Sequence, residues 1–169
     1  MNSQLIELLG KVVVDLKSKY YFVFDLLDRV RKVINRHEKV KLYYPILSNI
    51  SPNAEIGAGT TIHTHCWIGD VKIGTNVKIQ AFAFIPEGVT IGHNVFIGPH
   101  VCFTNDKNPP SDRKEWGKTI VEDGAVIGAN ATILPGITIG RNAKVGAGAV
   151  DTKDVTTKQF WVGNPATRI

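Results

Sequence analysis

The sequence predicts an all-β chain: a left-handed parallel β-helix of about five coils, with an N-terminal helical segment and one extended loop. Three observations predict it. Aliphatic residues recur every six positions at Ile50, Ile56, Ile62 and Ile68, then from Ile73 through Ile79, Ile85, Ile91 and Ile97 to Phe103, and again at Val121, Ile127, Ile133, Ile139 and Val145. A small or β-branched residue usually follows four places later, as at Ala54, Cys66, Val77, Ala83, Ala125 and Ala143. Glycine often comes directly after the aliphatic residue, as at Gly57, Gly74, Gly98, Gly128 and Gly146.

Period six suits neither an α-helix nor a simple alternating strand. It does suit a short strand followed by a tight corner, where Gly, Asn and Asp tolerate the backbone required. Three such units close one triangular coil, with the aliphatic residue and its small partner both pointing inward. Coils then stack at the β-sheet spacing of about 4.8 Å. Fifteen units make five coils, which bury a continuous core.

Two irregularities interrupt the repeat. One residue is missing between Ile68 and Ile73, which tightens a corner. Between Phe103 and Val121 the chain leaves the coil as an extended loop over 104–120, and loops of that length in a compact domain usually serve function. The domain reading is therefore residues 1–49 as a helical cap or oligomer contact, 50–150 as the β-helix, and 151–169 as a C-terminal segment. Asp151 falls where the next inward aliphatic residue is due, so the coil is expected to stop at Val150.

Residues 4–36 carry apolar side chains at helical spacings, from Leu5, Leu8, Leu9 and Val12 to Val30, Val33 and Ile34. A cap over the open end of the β-helix is favoured. A helix lying on a membrane surface is the alternative, given Tyr20, Tyr21, Phe22 and Phe24 beside Arg29, Arg31 and Lys32. No apolar run reaches the roughly 18 residues of a transmembrane helix, and no signal peptide is read, so the expected compartment is the cytoplasm.

The 169-residue chain has an ordinary soluble composition, 43% apolar and 21% charged, with net charge +5. That charge fits an anionic ligand such as a nucleotide or coenzyme A. No clustered basic and aromatic pattern outside the N-terminal segment suggests nucleic acid. Cys66 takes an inward slot and Cys102 faces outward about two coils away, beyond disulfide reach.

Stacking turns the register into a map. Units that start at Ile62, Ile79, Ile97, Ile127 and Val145 share one edge, provided the loop returns the chain to the next side. That edge reads His63-Thr64-His65, Gln80-Ala81-Phe82, Gly98-Pro99-His100, Gly128-Ala129-Asn130 and Gly146-Ala147-Gly148. Histidines and an amide lie below, and mainly small residues above. Small residues let an extended arm such as pantetheine lie along exposed backbone amides. An imidazole can take the proton from an amine attacking a thioester, which nominates His65, His100 and His63. The loop leaves from the neighbouring corner with Thr104, Asn105 and Asp106, and the Asp106 carboxylate could hold the amine or orient a histidine. His93 lies on another edge and is given no role.

Residues 77–112, with the segment Phe103-Thr104-Asn105-Asp106 followed by Pro109, then 117–140 and Gly163-Asn164-Pro165-Ala166, resemble the hexapeptide-repeat N-acetyltransferases of nucleotide-linked amino sugars. The resemblance covers about residues 50–169. It implies acetylation of an amine on a UDP- or dTDP-linked sugar for surface polysaccharide, by a homotrimer that holds acetyl-CoA between adjacent β-helices. It implies that Asn105 and Asp106 contact the sugar, and Gln80, on the histidine edge, is expected to bind substrate with them. It also implies that Gly128, Ala129, Gly146 and Ala147 line the coenzyme groove, with Lys144, Lys153 or Arg168 meeting its phosphates. No metal is expected. Some relatives carry an Asn pair after the glutamine, whereas Ala81 and Phe82 follow Gln80 here. This shifts the expected base to His65 or His100.

Three other functions compete. O-acetylation of a sugar or another small acceptor is the nearest. A metal-dependent hydratase of the γ-type carbonic anhydrase kind needs three histidines converging on zinc, and His93 sits away from His65 and His100. A β-helix without catalysis, serving as a binding module, is the third.

Overall fold

The computed structural model describes residues 39–44 and 47–169. The helical segment expected over 4–36 lies outside the described residues. What is described is a parallel β-helix with three faces. The first face stacks Lys41–Leu42, Thr61–Ile62, Lys78–Ile79, Phe96–Ile97, Val126–Ile127, Lys144–Val145 and Phe160–Gly163, and Ala166–Arg168 folds back antiparallel on the last. The second face stacks Asn49–Ile50, Trp67–Ile68, Phe84–Ile85, Cys102–Phe103, Thr132–Ile133 and Val150–Asp151. Glu55–Ile56, Lys72–Ile73, Val89–Ile91, Thr119–Val121 and Thr138–Ile139 make the third, which Val155 extends by a bridge to Ile139.

The strands are mostly two residues long because each side of the triangle is that short. In the two-residue strands the second residue points inward, so Ile62, Ile79, Ile97 and Ile127 form one buried column and Ile68, Ile85, Phe103 and Ile133 another. The small residue four places on fills the space behind the corner, as Ala83, Ala125 and Cys66 do. Where this slot holds a polar side chain, a local bond satisfies it. The Thr60 hydroxyl donates to the Gly74 carbonyl at 3.0 Å and accepts from the Val77 N–H at 3.2 Å. Ser48 accepts the Cys66 N–H in the same way.

The repeat extends further than expected at both ends. Lys41–Leu42 pairs with Thr61–Ile62, so the coil begins before residue 50. At the other end the expected stop at Val150 is corrected. Asp151 pairs with Ile133, is fully buried, and occupies the inward slot meant for an aliphatic residue. Its backbone carbonyl accepts the Leu134 N–H at 3.0 Å. The chain then passes through Val155 and starts another turn at Phe160. The result is six complete turns and the start of a seventh rather than five. The register survives one polar side chain because the main-chain ladder does not depend on side-chain identity. The carboxyl bears the cost: neither oxygen finds a hydrogen bond among the described residues, and burial pushes its pKa up to about 6.

The loop leaves after Phe103 on the second face and returns at Thr119 on the third, the next side in sequence. It is slightly shorter than the expected 104–120. The Gly117 N–H donates to the Asn105 carbonyl at 2.9 Å and closes its base, and Arg113–Glu115 makes one 3-10 turn. Cys66 is buried and Cys102 half-buried, both as free thiols whose pKa burial pushes up.

Candidate functional site

The corner between the first and second faces is assembled by register alone. The Phe82 N–H donates to the Thr64 carbonyl at 3.1 Å, His100 to Ala81 at 3.0 Å, Asn130 to Pro99 at 2.9 Å and Gly148 to Ala129 at 2.8 Å. Each rung therefore lies over the one below, and the edge read from the sequence is the edge in the structure. His65, Phe82, His100, Asn130 and Gly148 all take the left-handed backbone, with φ of 57°, 64°, 58°, 57° and 69°.

That conformation is unusual for a bulky residue and costs roughly 1–2 kcal/mol. The rings recover much of it. His65 stacks on Phe82 with centroids 4.9 Å apart, and Phe82 on His100 at 4.7 Å and 7°. Each such pair contributes about 0.5–1.5 kcal/mol. Phe82 thus separates the two imidazoles and fixes the plane of each. The Thr64 hydroxyl lies 2.7 Å from His65 Nδ1. His63 belongs to a second stack, on Tyr43 at 4.6 Å, and the Lys41 ammonium lies 4.7 Å from the Tyr43 ring.

Above His100 the third corner position drops from rings to Asn130 and then to Gly148, both exposed. This step leaves one face of the His100 imidazole looking onto a ledge of small residues, with Ala129 and Ala147 at the corner tips. The glycines have a further reason to be small. A Cβ at Gly128 would lie 2.5 Å from Ala147 N, and one at Gly146 would lie 2.6 Å from Val162 Cγ1. Coil stacking therefore accounts for those two, and only the tips and third positions shape the outer surface. Gln80 stands at the first position of the same corner, half-buried.

Lys144 lies exposed on the first face, and Arg168 pairs with Trp161, which itself lies over Val145. These two share the upper first face with Gly146. Lys153 follows Asp151 on the second corner and does not join them. The carboxylate of Asp106 is turned into its own loop, where it accepts the Asn108 N–H at 3.0 Å, the Ser111 N–H at 2.9 Å and the Ser111 hydroxyl at 2.8 Å. Desolvation opposes its charge, but these Ser111 and Asn108 bonds outweigh it and hold the carboxyl below its usual range. His93 sits on the third corner against Thr75 and Asp123. Among the described residues no three His, Cys, Asp or Glu side chains are grouped to hold a metal, and no helix is long and apolar enough to cross a membrane.

The second corner holds what the sequence did not reveal. The loop folds back over the second face and encloses a groove of about 510 Å³, between Trp67 and Phe84 on the face and Asn105, Arg113 and Trp116 on the loop. Arg113 pairs with Glu87 through both guanidinium and carboxylate arms, 26 positions away, and its guanidinium lies 5.7 Å from the Trp116 ring centre. Of these residues only Asn105 was expected at a site. The available signal was aromatic: Trp67 and Phe84 precede inward aliphatic residues, a position that faces solvent.

The comparisons with known proteins agree with this architecture. Residues 118–153 match a family model described as hexapeptide repeat of succinyl-transferase, and residues 70–105 match one described as bacterial transferase hexapeptide, six repeats. The bifunctional protein GlmU of Carboxydothermus hydrogenoformans is 37% identical over 121 residues, covering 68% of this chain and 26% of that protein. Serine acetyltransferase 2 of Arabidopsis thaliana is 37% identical over 111 residues, covering 64% and 31%. The chain thus spans about a quarter to a third of the length of these relatives. Among solved structures, PerB of Caulobacter crescentus, in complex with CoA and GDP-perosamine, superposes with a TM-score of 0.67 at 25% identity, covering 78% of this chain and 58% of that one. Six-residue periodicity, triangular coils and these matches together show that residues 70–105 and 118–153 are hexapeptide repeats of the kind those transferase models describe, stacked into a parallel β-helix.

Proposed function

We propose that this protein transfers an acetyl group from acetyl-CoA to the amine of a nucleotide-linked amino sugar. The observation that carries the reading is the step on the first corner, where the stacked His100 imidazole opens onto the ledge of Ala129, Asn130, Ala147 and Gly148. Pantetheine laid along the ledge would bring its thioester to the imidazole. The amine nitrogen attacks the thioester carbonyl, its surplus proton passes to the histidine, and the C–S bond breaks to release coenzyme A as the thiolate, which regains that proton. A positioned imidazole of this kind contributes about 10²–10⁴-fold to rate. His100 is the favoured base, with His65 held behind Phe82 and His63 in the separate Tyr43 stack. Gln80 and Asn105 would contact the acceptor, and Asp106 would shape the loop that carries Asn105. Lys144 and Arg168 would meet the coenzyme phosphates, and Lys153 would do so only from the other side of the second face.

The complex of PerB with CoA and GDP-perosamine supports this choice of donor and acceptor. A homotrimer, with the coenzyme held between adjacent β-helices, and action in the cytoplasm belong to the same proposal. Similarity to a serine acetyltransferase favours one second reading, transfer to a hydroxyl of a small acceptor. The test is coenzyme A release, followed with a thiol reagent, over a panel of UDP-, dTDP- and GDP-linked amino sugars with serine as a control. Turnover of an amino sugar supports the proposal, turnover of serine alone selects the second reading, and failure to bind acetyl-CoA removes both.

A further inference from the structure

The groove on the second face shares only Asn105 with the proposed acceptor contacts, and its chemistry is distinct from that of the first corner. Trp67 and Phe84 are 49% and 39% exposed, an unfavourable placement for two large rings. They stack at 6.2 Å and 25° into one apolar platform. Trp116 faces the platform across the groove, and its indole N–H is covered yet has no partner among the described residues. Leaving such a donor unmade is costly, so an acceptor that reaches it after a small shift of the ring is strongly favoured. The volume of about 510 Å³ lies within the roughly 300–1,000 Å³ of small-molecule sites.

Charge selects among ligands. Asp70 and Glu87 line the groove, and the one guanidinium there, Arg113, is already paired with Glu87. Hydrogen bonds from Ser51 and Asn53 hold the Asp70 carboxyl below its usual range, so it is ionised. Asp70, Glu87 and Arg113 together leave the groove one net negative charge, which disfavours phosphate there. Each carboxylate oxygen already accepts one hydrogen bond from Ser51, Asn53 or Arg113 but retains a lone pair for a further N–H. A planar ring that presents N–H and C=O edges fits this lining: plane on the aromatic platform, N–H toward a remaining carboxylate lone pair, C=O toward Trp116.

We infer that the groove between the Trp67–Phe84 platform and Trp116 is a nucleobase site, holding the base of the nucleotide carrier while its phosphates point away. The inference rests on the reading of a nucleotide-linked acceptor. Geometry agrees with that reading. His100 lies two coils above Trp67, about 10 Å along the axis, and one short side of the triangle away. An extended nucleotide sugar covers that span, so base and amine occupy the two sites together.

Calorimetric titration of UDP, dTDP and GDP into the full chain, with coenzyme A titrated in parallel, tests it. One nucleotide is expected to bind. Base stacking on an aromatic ring is worth enough that Trp67→Leu, which keeps an apolar group but loses the plane, weakens binding roughly five- to a hundredfold. Coenzyme A binding is expected to stay unchanged in this variant, which also shows that it folds. Trp67→Tyr, with a plane restored, is expected to recover most of the loss. Nucleotide binding that Trp67→Leu and Phe84→Leu leave intact overturns the inference, and so does the failure of all three nucleotides to bind. Nucleotide binding through Trp67 without acetyl transfer to any amino sugar leaves the inference standing and removes the acyl-transfer reading instead.

Discussion

The two corners that flank the second face are built from the same turns, yet they differ in how their residues come together. On the first corner, His65, Phe82 and His100 meet because each is the third residue of its turn and the main chain stacks turn on turn. On the second, Arg113 and Trp116 meet Glu87 and Phe84 because a loop, freed from the repeat, folds back. The first site is periodic and inherits the rigidity of the coil. The second depends on side-chain pairing across the loop, where exposed ion pairs are worth little. A periodic scaffold thus supplies precise columns, and a departure from the period supplies enclosure.

The largest expected effect separates stacking from ligand binding on the first corner. Gly128→Val would drive a side chain into the Ala147 backbone and is expected to destabilise by about 3 kcal/mol or more, read by thermal or denaturant unfolding. Gly148→Ala meets no atom within 4 Å and bears only the left-handed penalty of about 1 kcal/mol. Equal effects at the two positions would mean that the close contact of Gly128 with the next coil does not distinguish it from the exposed Gly148.

His100→Ala is expected to lower kcat by about a hundredfold with a stable fold, and His65→Ala by much less, since Phe82 stands between His65 and the ledge. A larger loss at His65 would move the base to the lower end of the stack.

Asp151→Val restores an aliphatic column above Ile133. The folded carboxyl titrates near 6 against an ordinary 3.8, so ionisation opposes folding. The penalty is absent below about pH 4, grows between pH 4 and 6, and is constant above that. The gain from Asp151→Val, after a discount for residual screening, is therefore expected to be about 2 kcal/mol larger at pH 7.5 than at pH 4. A gain that does not change with pH would mean that the carboxyl finds a partner.

The smallest effect concerns the loop. Glu87→Gln removes the ion pair to Arg113 and is expected to cost under about 1 kcal/mol of global stability. Hydrogen exchange at residues of the 104–118 loop should nevertheless rise, because that pair ties the loop to the second face. Unchanged exchange would mean that the closure of the loop at Gly117 and Asn105 holds it without help.

How much was legible depended on whether residues were related by period. Ile62, Ile79 and Ile97 could be placed in one column, and His65 and His100 on one edge, from spacing alone. The stack through Phe82 is not legible in the spacing, which puts all three positions on one edge but locates only a Cα and says nothing of ring planes. The coil runs on through Asp151 and Val155, past the stop that a polar residue in an apolar slot suggests. One side chain is a weak signal against a backbone ladder that any residue can join.

Six-residue repetition converts position in the chain directly into position in space, so the triangular coil, its register, the inward columns and the exit of the loop from the second corner all follow from the order of residues. Three-dimensional packing is what puts Asp151 inside, turns Asp106 into its own loop, and brings Trp67, Phe84, Arg113 and Trp116 around a groove. Those outcomes come from non-repeating side chains choosing among competing hydrogen bonds, ion pairs and ring contacts of about a kilocalorie each. No period in the chain encodes that choice.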